Sequence, residues 1–348
     1  MKPNTSVLRM DPYQPPSSGR EGFLRLDFNE NTVGCSLRVL RAILRRATRS
    51  RLATYPEYES SRAHLARGFR VDPDELLLTN GTDDALLLLV NTFIEPGHRV
   101  VIAEPCFAMY RFYSSLIGAE VVEVPRSADL RFPLAAVRRE IERGARAVFI
   151  DSPNNPTGTV VEPRDIEALA RDFPDCLVVA DEAYYDFCGR TMLPKVRKYR
   201  NLLVTRTFSK AHGLAGLRIG VLFAHRDTAA HLRKAHSPYS VNDLALAGAS
   251  AALRDSRTVA RYAAEVRRAR AVFQAELRRM KLDFVPSQAN FVLVRFGERA
   301  AAVQRGLRGQ GILVRDRSYE IPGAIRITVG TMAQTRRVIA ALKRALAA

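Results

Sequence analysis

A chain of 348 residues, 47% hydrophobic and 26% charged, has the composition of an ordinary globular protein of roughly two domains, neither fibrous nor disordered. Its best apolar run, ALLLLV at 85–90, is far short of the ~20 residues of a membrane span. The polar, proline-rich opening MKPNTSVLRMDPYQPPSSG has no apolar export segment, so neither membrane insertion nor secretion is expected. A formal net charge of +18 admits nucleic acid or anionic substrates as partners. The arginines, however, are spread over amphipathic helical patterns such as 38–51 and 261–281, which predicts solvated basic faces. With no helix-turn-helix, zinc finger or aromatic-studded sheet motif, nucleic-acid reading is not the expected role. Cys35, Cys106, Cys176 and Cys188 form no C-x-x-C pair, which argues against a metal ribbon or disulfide framework and for a cytoplasmic protein.

Along the chain, short apolar runs alternate with helical patterns. ELLLT (75–79) precedes a helix from about Thr82, and RVVIA (99–103) precedes one from about Cys106. AEVVEV (119–124), RAVFID (146–151), CLVVAD (176–181), LLVTR (202–206) and LRIGVLF (217–223) continue the series. Alternation of this kind predicts an α/β fold whose mostly parallel sheet is sandwiched by helices. After about residue 250 a long helical stretch (256–281) leads to ANFVLVRF (289–296), GILVR (311–315), AIRITVG (324–330) and a closing helix, as in a smaller α+β domain. The expected organisation is an arm with part of the small domain (1–35), a large domain (36–250) and a small C-terminal domain (251–348).

In an open α/β sheet, ligands bind beyond the carboxyl ends of the strands, and four loops there carry unusual residues. In TNGTDDALLLL (79–89), Gly81 makes a tight turn and Thr82 caps a helix that begins with Asp83 and Asp84. Such a start receives a phosphate or is simply a good cap. In DSPNNPTG (151–158) a rigid loop holds the Asn155 amide toward a ligand, or serves only the turn. In VVADEAYYDF (178–187), Asp181 ends an apolar strand and calls for a cationic partner, with Tyr184 three residues on. The alternative for Asp181 is a cap. In TRTFSKAHGLAGLRIG (205–220), Lys210, one of seven lysines, stands beside Thr207, Ser209 and Arg218. A desolvated lysine is a nucleophile toward carbonyls, and two hydroxyls with a guanidinium suit a phosphate. Taken together, the four loops describe a site for pyridoxal 5′-phosphate. Lys210 forms the Schiff base, Asp181 keeps the ring nitrogen protonated, and Asn155 and Tyr184 hold the ring oxygen. Thr82, Asp83, Thr207, Ser209 and Arg218 hold the phosphate.

The ordered motifs N-G-T-D, P-N-N-P-T-G, D-E-A-Y, S-K and G-L-R-I-G resemble those of the class I/II, fold-type I aminotransferases. PYQP (12–15), LDFNEN (26–31), TYPE (54–57), PCFAMY (105–110), FSKAHGLAGLRIG (208–220), GILVRDR (311–317) and IRITVGT (325–331) are similar to the histidinol-phosphate aminotransferase branch over nearly the whole chain. The resemblance implies that Phe107 stacks on the cofactor ring and that Tyr55 reaches the cofactor phosphate of the neighbouring subunit of a homodimer. Arg326 clamps the substrate anion with Arg315, Tyr13 and Asn29 nearby. It further implies ping-pong transfer from a small amino donor, L-histidinol phosphate, to a 2-oxo acid acceptor, 2-oxoglutarate, with no metal. The rivals on the same fold are an aminotransferase for aromatic or other amino acids and a decarboxylase similar to threonine-phosphate decarboxylase. Three positions depart from the pattern. Thr32 stands where the family has proline, Phe107 where it often has tyrosine, and His212, expected to pack locally, where it has an aromatic residue.

Overall fold

The computed structural model describes residues 1–12 and 18–347; the expectation for Tyr13 falls outside them. Twelve strands occur among the described residues: β1 (Leu24–Leu26), β2 (Leu76–Thr79), β3 (Arg99–Glu104), β4 (Glu120–Pro125), β5 (Ala147–Asp151), β6 (Leu177–Asp181), β7 (Leu202–Thr207), β8 (Gly220–Ala224), β9 (Asp283–Val285), β10 (Phe291–Arg295), β11 (Ile312–Asp316) and β12 (Ala324–Thr328). Seven of them form one sheet in the order β2-β8-β7-β6-β5-β3-β4. Strands β4, β3, β5, β6 and β7 run parallel, and β8 runs antiparallel to both of its neighbours.

The apolar composition of these strands follows from burial on both faces. Val178 and Ala180 of β6 pack with Leu76, Val148, Val204 and Phe223 on one side. Leu177 and Val179 pack with Ile102, Phe149, Leu203 and Leu222 on the other. Successive side chains point to opposite faces, so neither face can be polar once helices cover both. The helices Gly81–Phe93 and Met109–Leu116 lie on the second face.

Five strands form the second sheet, β1-β11-β12-β10-β9, in which only β1 and β11 are parallel. Helices Ser256–Arg279 and Met332–Ala347 close over it through Val266, Phe273, Phe291, Ile325 and Val338. Strands β1 and β9 were not expected. Each is three residues long, too short for a period-two pattern, and β1 is held by a partner almost 290 residues downstream.

Two helical expectations are corrected. The helix expected from about Cys106 starts at Met109, and ahead of it the Glu104 carboxylate accepts the Cys106 N–H at 3.2 Å. The basic stretch 38–51 is two helices, Leu37–Arg46 and Arg49–Leu52, the second capped by the Thr48 hydroxyl. Its outward face is not purely basic: Leu37, Leu40, Leu44 and Leu52 are exposed, a ridge of apolar side chains in solvent. Among the described residues no helix is long and apolar enough to cross a membrane, and no group of three or more His, Cys, Asp or Glu is placed to hold a metal.

Candidate active site

Strands β5, β6 and β7 pair in a register that sets Asp151, Asp181 and Thr205 side by side at their carboxyl ends. Asp181 is only 4% exposed. It accepts hydrogen bonds from the Tyr110 hydroxyl at 2.8 Å, the Thr205 hydroxyl at 2.9 Å and the Ala183 N–H at 3.1 Å. Burial, reinforced by the Asp151 carboxylate, pushes its pKa up to about 6 against those donors. Asp151 is held differently. Burial pushes its pKa up, and the Arg126 guanidinium, 3.5 Å away and equally buried, opposes that. The Asn154 amide at 2.8 Å and the Asn155 N–H at 2.9 Å also donate to it. Asp151 therefore ties down the P-N-N-P-T-G loop and turns the Asn155 side chain into the space above Asp181.

That space is a cavity of about 290 Å³ lined by Phe28, Asn29, Thr82, Asp83, Phe107, Asn155, Asp181, Tyr184, Thr207, Ser209, Lys210, Arg218, Arg315 and Arg326, among others. Lys210 follows β7 and donates from Nζ to the Phe28 carbonyl at 3.0 Å. Burial pushes its pKa down to about 8, helped by Arg326 and Arg218 and opposed by Glu30 and Asp83. Tyr184 is buried edge-on against Phe291, with ring centroids 5.1 Å apart. Burial raises its pKa, and its hydroxyl accepts from the Asn29 amide at 2.9 Å. Asn29 itself has φ 56°, a left-handed conformation that asparagine tolerates better than most residues. Its N–H and side-chain oxygen bond to the Thr328 hydroxyl, both at 3.1 Å, and its carbonyl accepts from Asn290 at 3.1 Å. Each end of the Asn29 amide thus has a protein partner.

One end of the cavity is the start of helix Gly81–Phe93. Thr82 lies inside its first turn and does not cap it. The cap residue is Asn80, whose side chain makes no capping bond, and Asp84 takes the Asn80 N–H at 2.9 Å. The helix start is therefore left with open N–H groups, and the Thr82 hydroxyl is buried with no partner. Gly81 is required here: its φ is +81°, and a Cβ would lie 2.5 Å from Arg218 Nη2. Arg218, itself at φ 51°, donates to Asp83 at 3.1 Å and to the Ala215 carbonyl at 3.2 Å. The Thr207 hydroxyl donates to the Ser209 hydroxyl at 2.9 Å.

The other end is cationic. Arg326 is 5% exposed. It donates to the Asn155 side-chain oxygen and, at 2.7 Å, to the Asp27 carbonyl, while its Nε has no partner. Burial pushes its pKa down to about 10. Arg315 faces Arg326 across the β11–β12 pairing and stands 5.7 Å from the Phe28 ring centroid. Arg20 fastens the loop between them. It bonds both Asp27 oxygens, at 2.7 and 2.9 Å, reaches Glu30 at 2.8 Å and covers the Phe28 ring. Thr32, in place of proline, bonds Gln334 at 2.7 Å and so secures the loop to the closing helix. His212 packs tilted on Phe208, its Nδ1 without a partner. Of the residues marked in the sequence, Tyr55 stays away: it is 77% exposed and stacks on Tyr239, 56% exposed, at 4.4 Å.

Sequence reasoning missed Tyr110, Asp151, Arg126, Arg20 and Arg317. Asp151 could have been found, since it ends an apolar strand as Asp181 does. Tyr110 and Arg126 act across 71 and 25 residues, while Arg20 and Arg317, the latter also lining the cavity, pair with nearby Asp27 and Glu320 in loops that carry no periodic pattern.

The family model for "Aminotransferase class I and II" matches residues 21–342. The chain belongs to the class I and II aminotransferases. Among its relatives, "Histidinol-phosphate aminotransferase" of Symbiobacterium thermophilum is 42% identical over 356 residues, which is 98% of each chain. The crystal structure of histidinol-phosphate aminotransferase from Sinorhizobium meliloti in complex with pyridoxal-5′-phosphate superposes with a TM-score of 0.90 at 25% identity, covering 99% of this chain and 97% of that one. L-threonine-O-3-phosphate decarboxylase from Porphyromonas gingivalis is also similar, with a TM-score of 0.82 and 26% identity over 93% of this chain and 100% of that one. The aminotransferase fold thus places Lys210 and Asp181 at the carboxyl ends of neighbouring parallel strands in the large sheet.

The Arg126–Asp151 pair generates a prediction. Arg126→Met leaves a buried carboxylate without its cation, a change that costs about 3–5 kcal/mol when such a pair is broken. Urea unfolding is expected to read that loss.

Proposed function

We propose that this aminotransferase uses pyridoxal 5′-phosphate to transfer the amino group of L-histidinol phosphate to 2-oxoglutarate, giving imidazole acetol phosphate and glutamate. The observation that carries the reading is a single cavity in which a half-buried lysine, its amine desolvated, lies between an anion-receptive helix start and a wall of arginines. The cofactor fits the donor set. The unpartnered Thr82 hydroxyl and the open N–H groups of helix Gly81–Phe93, with Thr207, Ser209 and Arg218, suit a phosphate. Asp181 suits a protonated ring nitrogen, because a cation beside it lowers a pKa that burial and the Asp151 carboxylate have raised to about 6. Phe107 offers a ring to stack on, and Asn155 and Tyr184 offer polar groups for a ring oxygen.

When bound, the cofactor supplies an electron sink that makes the substrate Cα–H bond labile. Lys210 anchors the cofactor between turnovers and, displaced by the incoming amine, moves the proton at Cα. Its pKa of about 8 keeps a working share of the amine neutral near physiological pH. Tyr184, oriented by Asn29, holds its hydroxyl in place without spending it on solvent. Arg326, steadied by Asn155 and the Asp27 carbonyl, presents a planar fork to a two-oxygen anion. Phosphate on the donor and carboxylate on the acceptor both answer that description, which supports one site for two substrates. The relatives' shared name supports the same donor. A phosphoamino-acid decarboxylase is the second reading, on the strength of the likeness to the Porphyromonas gingivalis protein.

We also infer a homodimer in which Tyr55 reaches the partner's cofactor phosphate. The exposed Tyr55–Tyr239 stack and the uncovered ridge of Leu37, Leu40, Leu44 and Leu52 support it, since contiguous exposed apolar surface marks an association face. The division into an arm (1–35), a large domain (36–250) and a small domain (251–348) is part of the same reading. So is residence in the cytoplasm, which the four unpaired cysteines favour.

Three measurements test these readings. Titrating the cofactor-loaded protein with L-histidinol phosphate, without acceptor, is expected to replace the visible band of the lysine-bound cofactor by that of pyridoxamine phosphate, at lower concentration than histidine or phenylalanine requires. Lys210→Ala should lack the starting band altogether. No spectral change with the wild type rejects the donor, and release of carbon dioxide from O-phospho-L-threonine, which unlike histidinol phosphate carries a carboxylate, with no pyridoxamine phosphate formed, selects the decarboxylase. Cofactor uptake by the cofactor-free protein is expected to accelerate about tenfold between pH 6.5 and 7.5 and to level off above pH 8. The neutral amine attacks, and its share grows tenfold per unit only below its pKa. Finally, Leu40→Glu/Leu44→Glu should sediment as a monomer with activity reduced at least about tenfold, because charge on the ridge opposes burial.

A further inference from the structure

Arg317 lies one residue beyond β11, in a turn fixed by main-chain bonds. Its N–H donates to the Ala324 carbonyl at 2.9 Å, and its own carbonyl accepts from Glu320 at 3.0 Å and Ile321 at 2.9 Å. Its side chain lines the same cavity as Lys210, and only 6% of it is exposed. One nitrogen donates to the Tyr319 hydroxyl at 2.7 Å, a second bonds the Glu320 carboxylate, and Nε is buried with no partner. Three guanidinium groups thus face one end of the cavity, those of Arg315, Arg317 and Arg326. Of these three, only Arg317 has a carboxylate of the described residues within ion-pair distance.

This layout is unbalanced on its own. Arg315 and Arg326 offer charge for one bidentate anion. A third arginine on the same wall adds repulsion, and Glu320 offsets it. Neither the repulsion nor the open Nε has any use if the ligand carries a single negative charge. A phosphate dianion answers both, since it brings a second charge and a third oxygen to accept from Nε.

We propose that Arg317, held in place by Glu320 and Tyr319, is a specificity-determining residue that favours a phosphate-bearing amino donor over a carboxylate-bearing one. The inference rests on the reading above that one cavity receives both kinds of substrate. Glu320 sets the strength of the preference by partly cancelling the Arg317 charge, and Tyr319, exposed beside it, fixes the guanidinium plane.

The test is the half-reaction of the cofactor-loaded enzyme, measured with L-histidinol phosphate and with glutamate. In Arg317→Gln, the ratio of kcat/KM for histidinol phosphate to that for glutamate is expected to fall at least about tenfold, carried by KM, and Arg317→Lys should recover part of the loss. Glu320→Gln should move the ratio the other way. A merely structural role would lower both substrates together in all three variants, and that result, or an unchanged ratio, overturns the proposal. Inorganic phosphate, used as a competitive inhibitor of the glutamate half-reaction, separates this inference from the donor assignment. If the wild type ignores histidinol phosphate, the donor is wrong. A phosphate inhibition constant that rises in Arg317→Gln still upholds Arg317, and one that does not move removes it.

Discussion

The register of three parallel strands, β5, β6 and β7, is the constraint on which the rest of this aminotransferase depends. It brings two aspartates together in the dry end of a sheet, where like charges a few ångströms apart raise each other's pKa. The molecule treats the two differently. Asp151 is given a buried arginine and the loop amides, and so becomes a structural anion. Asp181 is given hydroxyl and amide donors but no cation, and it stays a carboxylate in need of a positive partner. A shift of one residue in the pairing would turn the side chains to the opposite face of the sheet and abolish this division of labour.

Around that row the charges are sorted along one axis. A helix start with open N–H groups and Arg218 lies at one end, and the arginines of β11 and β12 lie at the other. Lys210 sits between two positive regions in a desolvated place, and both influences act in the same direction on its amine. Its nucleophilicity is therefore a property of the whole cavity. The excess of basic residues over the chain, +18 in formal charge, agrees with a protein that draws in anions, although much of it lies on helix surfaces far from the site.

Much of this was legible in the sequence because it was local. Most of the apolar runs became strands within a residue or two, since a strand buried on both faces leaves no polar choice, and the loops that follow them announced Asn155, Asp181 and Lys210. The run 217–223 starts three residues late, at Gly220, because Leu217 ends a 3-10 turn and Arg218 takes a left-handed conformation. Most of the parts that could not be read act at a distance. Tyr110 reaches Asp181 across 71 residues, Arg126 reaches Asp151 across 25, and β1 pairs with β11 at the far end of the chain. For the helix-start residue Thr82 only the reading as a cap fails, because a hydroxyl in the first turn looks the same in sequence whether it closes the helix end or leaves it open. The amphipathic pattern of 38–51 predicts a solvated face that is basic, yet Leu40 and Leu44 are exposed on it. Their exposure comes from tertiary packing, in which Val39 faces the core instead.

Asn29 couples parts of the molecule that are otherwise separate. Thr328 of β12 and Asn290, just before β10, hold it from the smaller sheet, and its amide in turn holds the Tyr184 hydroxyl beside Lys210. A displacement of the smaller sheet is therefore felt first as a weaker hydrogen bond to a buried phenol. The energy with which that phenol keeps its proton then becomes a gauge of how closely the two sheets approach, and the colour of a chromophore bound against it would register sheet position without any label being introduced.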